Sequence, residues 1–203
     1  MNTECKILKL SELNEAQVKQ VAIICVEGLY NVFSIISKDK NLLTELFMDS
    51  FDYDMCYACL HDGDAVGFMG LSNSYKRAAS NMRLETFERL FGKRKAKHMF
   101  AGVSNGMAVP KVMPENEVCI DFLATTPHLR GKGIGKQLIH CVFDNLHYEA
   151  CTLEVYSKNL KAIKFYERLG FRKISVKSEW MIRLLCGIGK TITMKLNAKD
   201  VQR

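Results

Sequence analysis

Proline is scarce in this chain, three residues among 203, and neither a repeat nor a low-complexity tract appears. A flexible linker therefore has no obvious place, and the length suits one domain carrying an insertion better than two complete domains. Long apolar runs are also lacking. The most apolar early stretch, residues 21–36, contains Glu27 and Asn31 and falls short of the roughly 20 residues needed to span a bilayer. No apolar segment of signal-peptide type follows Met1. These absences predict a soluble, cytoplasmic protein with no membrane partner.

Cysteine is plentiful, with eight residues, but paired metal-type spacing is missing. Cys56-Tyr-Ala-Cys59 is a C-x-x-C, yet no second such pair exists and no helix start follows it as a thioredoxin-like site requires. Cys25, Cys119, Cys141 and Cys151 sit in apolar surroundings, where free cysteine behaves as a small hydrophobe. The expectation is structural thiols in a reducing compartment and no metal site. Acidic residues are outnumbered, 22 against 29 basic, and the imbalance is local. Residues 73–100 hold Lys76, Arg77, Arg83, Arg89, Lys93, Arg94, Lys95 and Lys97 against Glu85 and Glu88, which is +6 of the net +7. Such a face is either a solvated helix surface or an attractor for anions. Nucleic acid is the least favoured of its partners, because the aromatic residues interleaved there are few.

What is present reads as alternating strands and helices. Residues 5–10 alternate as a strand. Ser11 and Asn14 offer helix-start chemistry, and Val18, Val21, Ala22, Cys25, Leu29, Val32 and Phe33 recur at helical spacing, as one helix or two. Residues 41–51 form another helix. Apolar runs 55–60 and 65–71 flank His61-Asp-Gly-Asp64, the signature of a hairpin. Residues 73–113 break the rhythm: 83–90 can be helical, Gly92 ends it, and Gly102, Gly106 and Pro110 suggest loop. This segment is read as a basic insertion. Strands are expected at 117–125, 151–156, 171–176 and 191–196, with helices at 133–146 and 159–169. The order β-α-α-β-β-insertion-β-α-β-α-β-β is a mixed α/β class.

The chemistry concentrates at Arg130-Gly131-Lys132-Gly133-Ile134-Gly135-Lys136, between a strand and a helix. Glycines let backbone N–H groups approach a ligand, and a helix start supplies unpaired amides and a positive dipole end. Together with three cations this is an anion site suited to a phosphate or pyrophosphate. A dinucleotide fingerprint would need glycine where Lys136 stands. A P-loop ending at Gly189-Lys190-Thr191 would need glycine where Leu184 stands, so neither nucleotide motif fits.

The segment 123–136 strongly resembles the acyl-CoA site of the GNAT superfamily of N-acetyltransferases, whose R/Q-x-x-G-x-G/A pattern is filled by Arg130, Gly133 and Gly135. The downstream stretch 153–171 is similar to that family's second signature at Asn159, Ala162, Tyr166 and Gly170-Phe171. The clear match covers about 55 residues, and upstream only the element order agrees. The resemblance implies a GNAT-like fold: a central, mostly antiparallel sheet, splayed between its fourth and fifth strands and flanked by helices. It implies acetyl-CoA as cosubstrate, with the pantetheine arm lying between strands 117–125 and 151–156.

On that implication Leu123, Ala124 and Thr125 offer backbone to the pantetheine and the thioester carbonyl. The turn Arg130, Gly131, Lys132, Gly133, Ile134, Gly135 and Lys136 takes the diphosphate, and Asn159 touches the arm while capping its own helix. Small side chains at Ala124 and Thr125, where the family often has larger apolar ones, would widen the acceptor side. Transfer to an amine needs a base and an acid. Tyr166 is the acid the resemblance implies, placed beside the thioester sulfur. Glu117 is the base candidate, with Asp121 a rival, since Glu117, Cys119 and Asp121 share one face by the period of two. Residues matching a base in the family's protein-lysine enzymes favour Glu117. Direct attack in a ternary complex is expected, on a small-molecule amine ahead of a peptide; the rival class is an acyl-CoA sensor that does no chemistry. Met48, Met55, Trp180 and Met181 are acceptor-pocket candidates. A homodimer through the strand-rich C-terminus is compatible with the sequence, which does not demand it.

Overall fold

The computed structural model describes residues 5–178 and 190–201. In chain order its elements are β1 (Lys6–Lys9), α1 (Glu15–Phe33), α2 (Lys40–Ser50), β2 (Cys56–His61), β3 (Asp64–Ser72), α3 (Leu84–Phe91), α4 (Lys93–Met107), β4 (Glu117–Thr125), α5 (Ile134–Asp144), β5 (Ala150–Tyr156), α6 (Leu160–Arg168), β6 (Arg172–Lys177) and β7 (Thr191–Asn197). Trp180 and Met181 lie outside the described residues. The class is the mixed α/β expected, with the expected element order.

Local chemistry sets the helix starts. Asn14 and Gln17 form a reciprocal capping box, at 2.9 and 3.1 Å, which begins α1. The Asp39 carboxylate accepts from the amides of Asn41 and Leu42 and begins α2. Helix α1 leaves helical geometry at Leu29 (φ −120°, ψ 17°), so the pattern that reads as one helix or two is one helix with a kink.

The seven strands form one sheet in the order β1-β2-β3-β4-β5-β7-β6. Every neighbouring pair is antiparallel except β4–β5, which is parallel. Each face has its own core. On one, Phe33, Phe47, Phe51, Phe68 and Phe122 interlock beneath α1 and α2, with ring centroids from 4.3 to 6.5 Å apart. On the other, Ile134, Leu138, Val142 and Ile163 of α5 and α6 pack on Val118, Cys151 and Leu153. Among the described residues no helix is long and apolar enough to cross a membrane.

Two expectations need correction. The stretch containing Gly102 and Gly106 is helix α4, where loop was expected. Each interior glycine costs a helix up to about 1 kcal/mol, but Met99, Phe100, Val103 and Met107 recur at helical spacing and pack against the first core. Burial of that stripe outweighs the propensity. Second, Cys5 and Cys59 form a disulfide, where free thiols were expected. Ile7 stands opposite Cys59 in the β1–β2 register, so Cys5 is its diagonal neighbour on the same face. Cys56 and Cys59 are three apart on one strand and enter opposite cores, so the C-x-x-C cannot close on itself.

Candidate active site

The parallel β4–β5 ladder is short. It runs from Glu117–Ala150 to Ile120–Leu153 and stops. Beyond it β4 stays paired to β3 as far as Thr125, and β5 stays paired to β7 as far as Tyr156. The two strands therefore part while each keeps its outer neighbour, and their facing backbone groups line a gap. A cleft of about 1070 Å³ occupies it, bounded by Ile120, Asp121, Phe122 and Leu123 on one strand and Leu153, Glu154, Val155 and Tyr156 on the other.

A β-bulge helps open the gap. Gly70 faces Phe122 and Leu71 faces Ile120, so Asp121 is the extra residue on β4. Side-chain alternation inverts across it: Val118 and Ile120 enter the core under α5, whereas Phe122 and Ala124 enter the core under α1. A strict period of two does not survive past Asp121. The space expected to open beside small Ala124 is filled by helix α1. A Cβ on Gly28 would stand 2.6 Å from the Ala124 Cβ, so both residues must be small for helix and strand to touch.

The phosphate-type turn lies at the C-terminal end of β4. Gly131 and Gly133 take φ of +79° and +88°, conformations that favour glycine. Gly133 caps α5, and among the described residues the amides of Gly133, Ile134, Gly135 and Lys136 donate to no protein group. Arg130, Gly131 and Lys132 are exposed, while Ile134 anchors the turn in the core. Ala124, Thr125 and the turn do not line the cleft itself; Leu123, Asn159 and Tyr166 do.

Asn159 caps α6 by accepting from the Ala162 amide at 3.2 Å. The Tyr166 ring is held edge-on by Phe171 and beside Phe165, with centroids 5.5 and 5.2 Å away. Its hydroxyl has no protein hydrogen-bond partner among the described residues. Burial pushes its phenol well above the ordinary range, and Cys151 adds to the shift.

The carboxylates are distributed unequally. Glu117 sits at the zipped end of the ladder, outside the cleft, 2.5 Å from Lys195 Nζ. Asp121 lines the cleft, but its oxygens accept from Ser72, from Arg77 Nε at 2.7 Å and from Lys111 Nζ at 3.0 Å. Glu154, which the sequence reading passed over, lines the cleft just past the last β4–β5 pair and has no ion pair or side-chain hydrogen bond among the described residues. Alternation with buried Leu153 and Val155 was a signal that it is turned outward.

Three of the eight basic residues of the segment 73–100 are held in ion pairs. Lys76 pairs with Asp52 at 3.2 Å, Arg77 with Asp121, and Arg89 with Glu45 and Asp49 at 3.1 and 2.7 Å. Met48 lines a separate surface cleft of about 610 Å³ with Tyr53 and Met82, and Met55 packs into the second core, so neither lines the gap.

Residues 29–171 match the model of the acetyltransferase (GNAT) family. A search of curated proteins finds no match. Among solved structures the chain is similar to an N-acetyltransferase from Staphylococcus aureus Mu50 (12% identity, TM-score 0.62, 94% of this chain and 100% of that one). It is also similar to the ribosomal-protein-S18-alanine N-acetyltransferase from Escherichia coli (14%, 0.53, 98% and 96%) and to an agmatine N-acetyltransferase (15%, 0.55, 96% and 100%). At these identities the likeness is one of fold.

Proposed function

The chain belongs to the GNAT family of acetyltransferases, and from that premise we propose that it transfers the acetyl group of acetyl-CoA to a primary amine by direct attack in a ternary complex, the whole chain acting as one catalytic domain with residues 73–113 inserted. The observation that carries this reading is the parting of β4 and β5 after Ile120–Leu153, with Tyr166 lining the gap and a glycine-capped helix start following the end of β4. The family's cosubstrate fits both features. Four unengaged amides, with Arg130, Lys132 and Lys136, suit a diphosphate. The open edge of Leu123, Ala124 and Thr125 suits an amide-bearing arm that pairs like an added strand. An amide on that edge would also stabilise the oxyanion formed when the amine attacks the thioester carbonyl.

We assign the proton acceptor to Glu154 in place of Glu117 or Asp121. An amine of ordinary lysine-like basicity, pKa about 10.4, is mostly protonated at neutral pH and must lose a proton before it attacks. A carboxylate without a protein partner, in the cleft, can bind the ammonium and take that proton directly or through water. Tyr166 serves the leaving thiolate. The acceptor is an amine of small-molecule size ahead of a peptide; the structurally similar enzymes named above act on a protein alanine and on agmatine, so the fold accommodates both.

The test is thiol release from acetyl-CoA against an amine panel, with product masses. Turnover that needs an amine supports the reading. Tight coenzyme binding with no turnover on any amine replaces it with a non-catalytic acyl-CoA sensor.

A further inference from the structure

Where the insertion meets β4, the wall of the cleft holds two cations and one carboxylate. Arg77 Nε and Lys111 Nζ donate to opposite oxygens of Asp121, and the three side chains are 10%, 26% and 3% exposed. Lys111 Nζ also lies 2.9 Å from Cys119 Sγ. Burial raises the Cys119 thiol more than Lys111 lowers it, so the thiol is neutral and does not balance the second cation. One positive charge is left over in a nearly buried cluster, an arrangement that is costly unless an anion joins it.

Arg77 is committed to structure, since its Nη1 also donates to the carbonyls of Val109 and Gly106 at 3.1 and 3.4 Å and pins the end of α4 to the bulge. Lys111 is not. An ammonium has three N–H donors, and the protein takes two of them. Lys111 lines the cleft beside Gly106 and Met107. Burial works against its charge, but its contacts with the Cys119 sulfur and the Asp121 carboxylate, hydrogen bonds to both among them, outweigh burial and hold it above the ordinary lysine range. It is also on the wrong face to serve the diphosphate. The insertion packs on the core beneath α1, whereas the first turn of α5 packs on the core across the sheet.

We propose that the acceptor is an amino acid-like molecule, an amine that also carries a carboxylate, and that Lys111 is the residue that selects it, with the amine end at Glu154 across the gap. This rests on the acetyltransferase reading above. Such a molecule is held at both ends by groups of opposite sign, and a neutral or dicationic amine would leave the Lys111 charge unpaired.

Straight-chain amino acids of increasing length, each paired with its carboxamide, are assayed for kcat/KM with acetyl-CoA. The amide keeps the shape and removes the charge. At one or more lengths the carboxylate is expected to be favoured by about tenfold or more, the worth of a single charge-assisted hydrogen bond. In Lys111→Met the ratio falls to about one, and in Lys111→Arg a preference returns. Carboxamides that match their acids at every length overturn the proposal in the wild-type protein alone, whatever the variants do. A preference that survives Lys111→Met in folded protein overturns the role of Lys111. Failure of every amine to accept acetyl, with coenzyme still bound, instead defeats the reading on which the proposal rests and takes the proposal with it.

Discussion

A phenol held as far up as that of Tyr166 is fully protonated at any working pH and gives up its proton reluctantly. On the acetyl-transfer reading proposed above, it would donate a hydrogen bond to the sulfur as negative charge gathers there, an interaction stronger in the transition state than in the ground state. Tyr166→Phe keeps the ring between Phe165 and Phe171. It should lower kcat by about 100-fold or more while the dissociation constant of acetyl-CoA changes little, read by steady-state kinetics beside calorimetry. The carboxylates separate in the same assay. Glu154→Gln should also lower kcat by about 100-fold or more. Glu117→Gln loses its partner Lys195 at the zipped end of the ladder, and its effect should appear in melting temperature and not in kcat. A Glu117→Gln protein that is as stable as its parent and catalytically dead returns the base to that strand end.

At the level of the elements, helices α1 and α4 carry opposite lessons about glycine. Gly28 has no room for a side chain against Ala124. Gly28→Val drives a Cβ and two methyl groups into the α1–β4 contact and should cost about 1–3 kcal/mol or more, with melting temperature lowered accordingly. Gly102, inside α4, has nothing within 4 Å of a Cβ built on it. Gly102→Ala should therefore stabilise by about 0.5–1 kcal/mol and raise melting by about 1–4 °C, checked by scanning calorimetry. The same contrast explains what the sequence made legible. Strands and helices whose apolar residues alternate or recur, such as β4, β5, α5 and α6, were readable, as was the glycine-rich turn, because pattern and chemistry coincide in one short segment. Helix α4 was not, because its breakers are local while the core that overrides them is assembled from distant elements. The bulge at Asp121 was hidden too. It exists only in the mismatch between Gly70–Leu71 and Ile120–Phe122, and a period of two carried through it assigns the wrong face to everything after. Glu154 escaped notice because how far β4 and β5 stay paired is a property of two strands together, written in neither alone.

Across the whole molecule, acids elsewhere in the chain hold several cations of the insertion in place: Asp52 with Lys76, Asp121 with Arg77, and Glu45 and Asp49 with Arg89. The other titrating groups whose burial bears on stability are thiols and phenols. Burial pushes Cys25, Cys56 and Cys151 well up, pushes Tyr57 up to about 12, and raises Tyr166 further. Each of these is raised in the folded state, so the fold binds those protons more tightly than the unfolded chain does. Their contribution is intact below the unfolded values, about 8.5 for a thiol and 10 for a phenol, and is lost as pH climbs from there through the folded values. Melting temperature under reducing conditions, measured across the alkaline range, should begin to fall above about pH 8.5 and fall more steeply beyond about pH 10. Tyr57→Phe should flatten the steeper part, since a ring without a hydroxyl has no proton to lose on unfolding. A melting temperature that stays level from neutral pH to about 11 would mean that these groups titrate in the fold as they do in water, and that neither core is as dry as the packing of α1, α2, α5 and α6 on the two faces of the sheet requires.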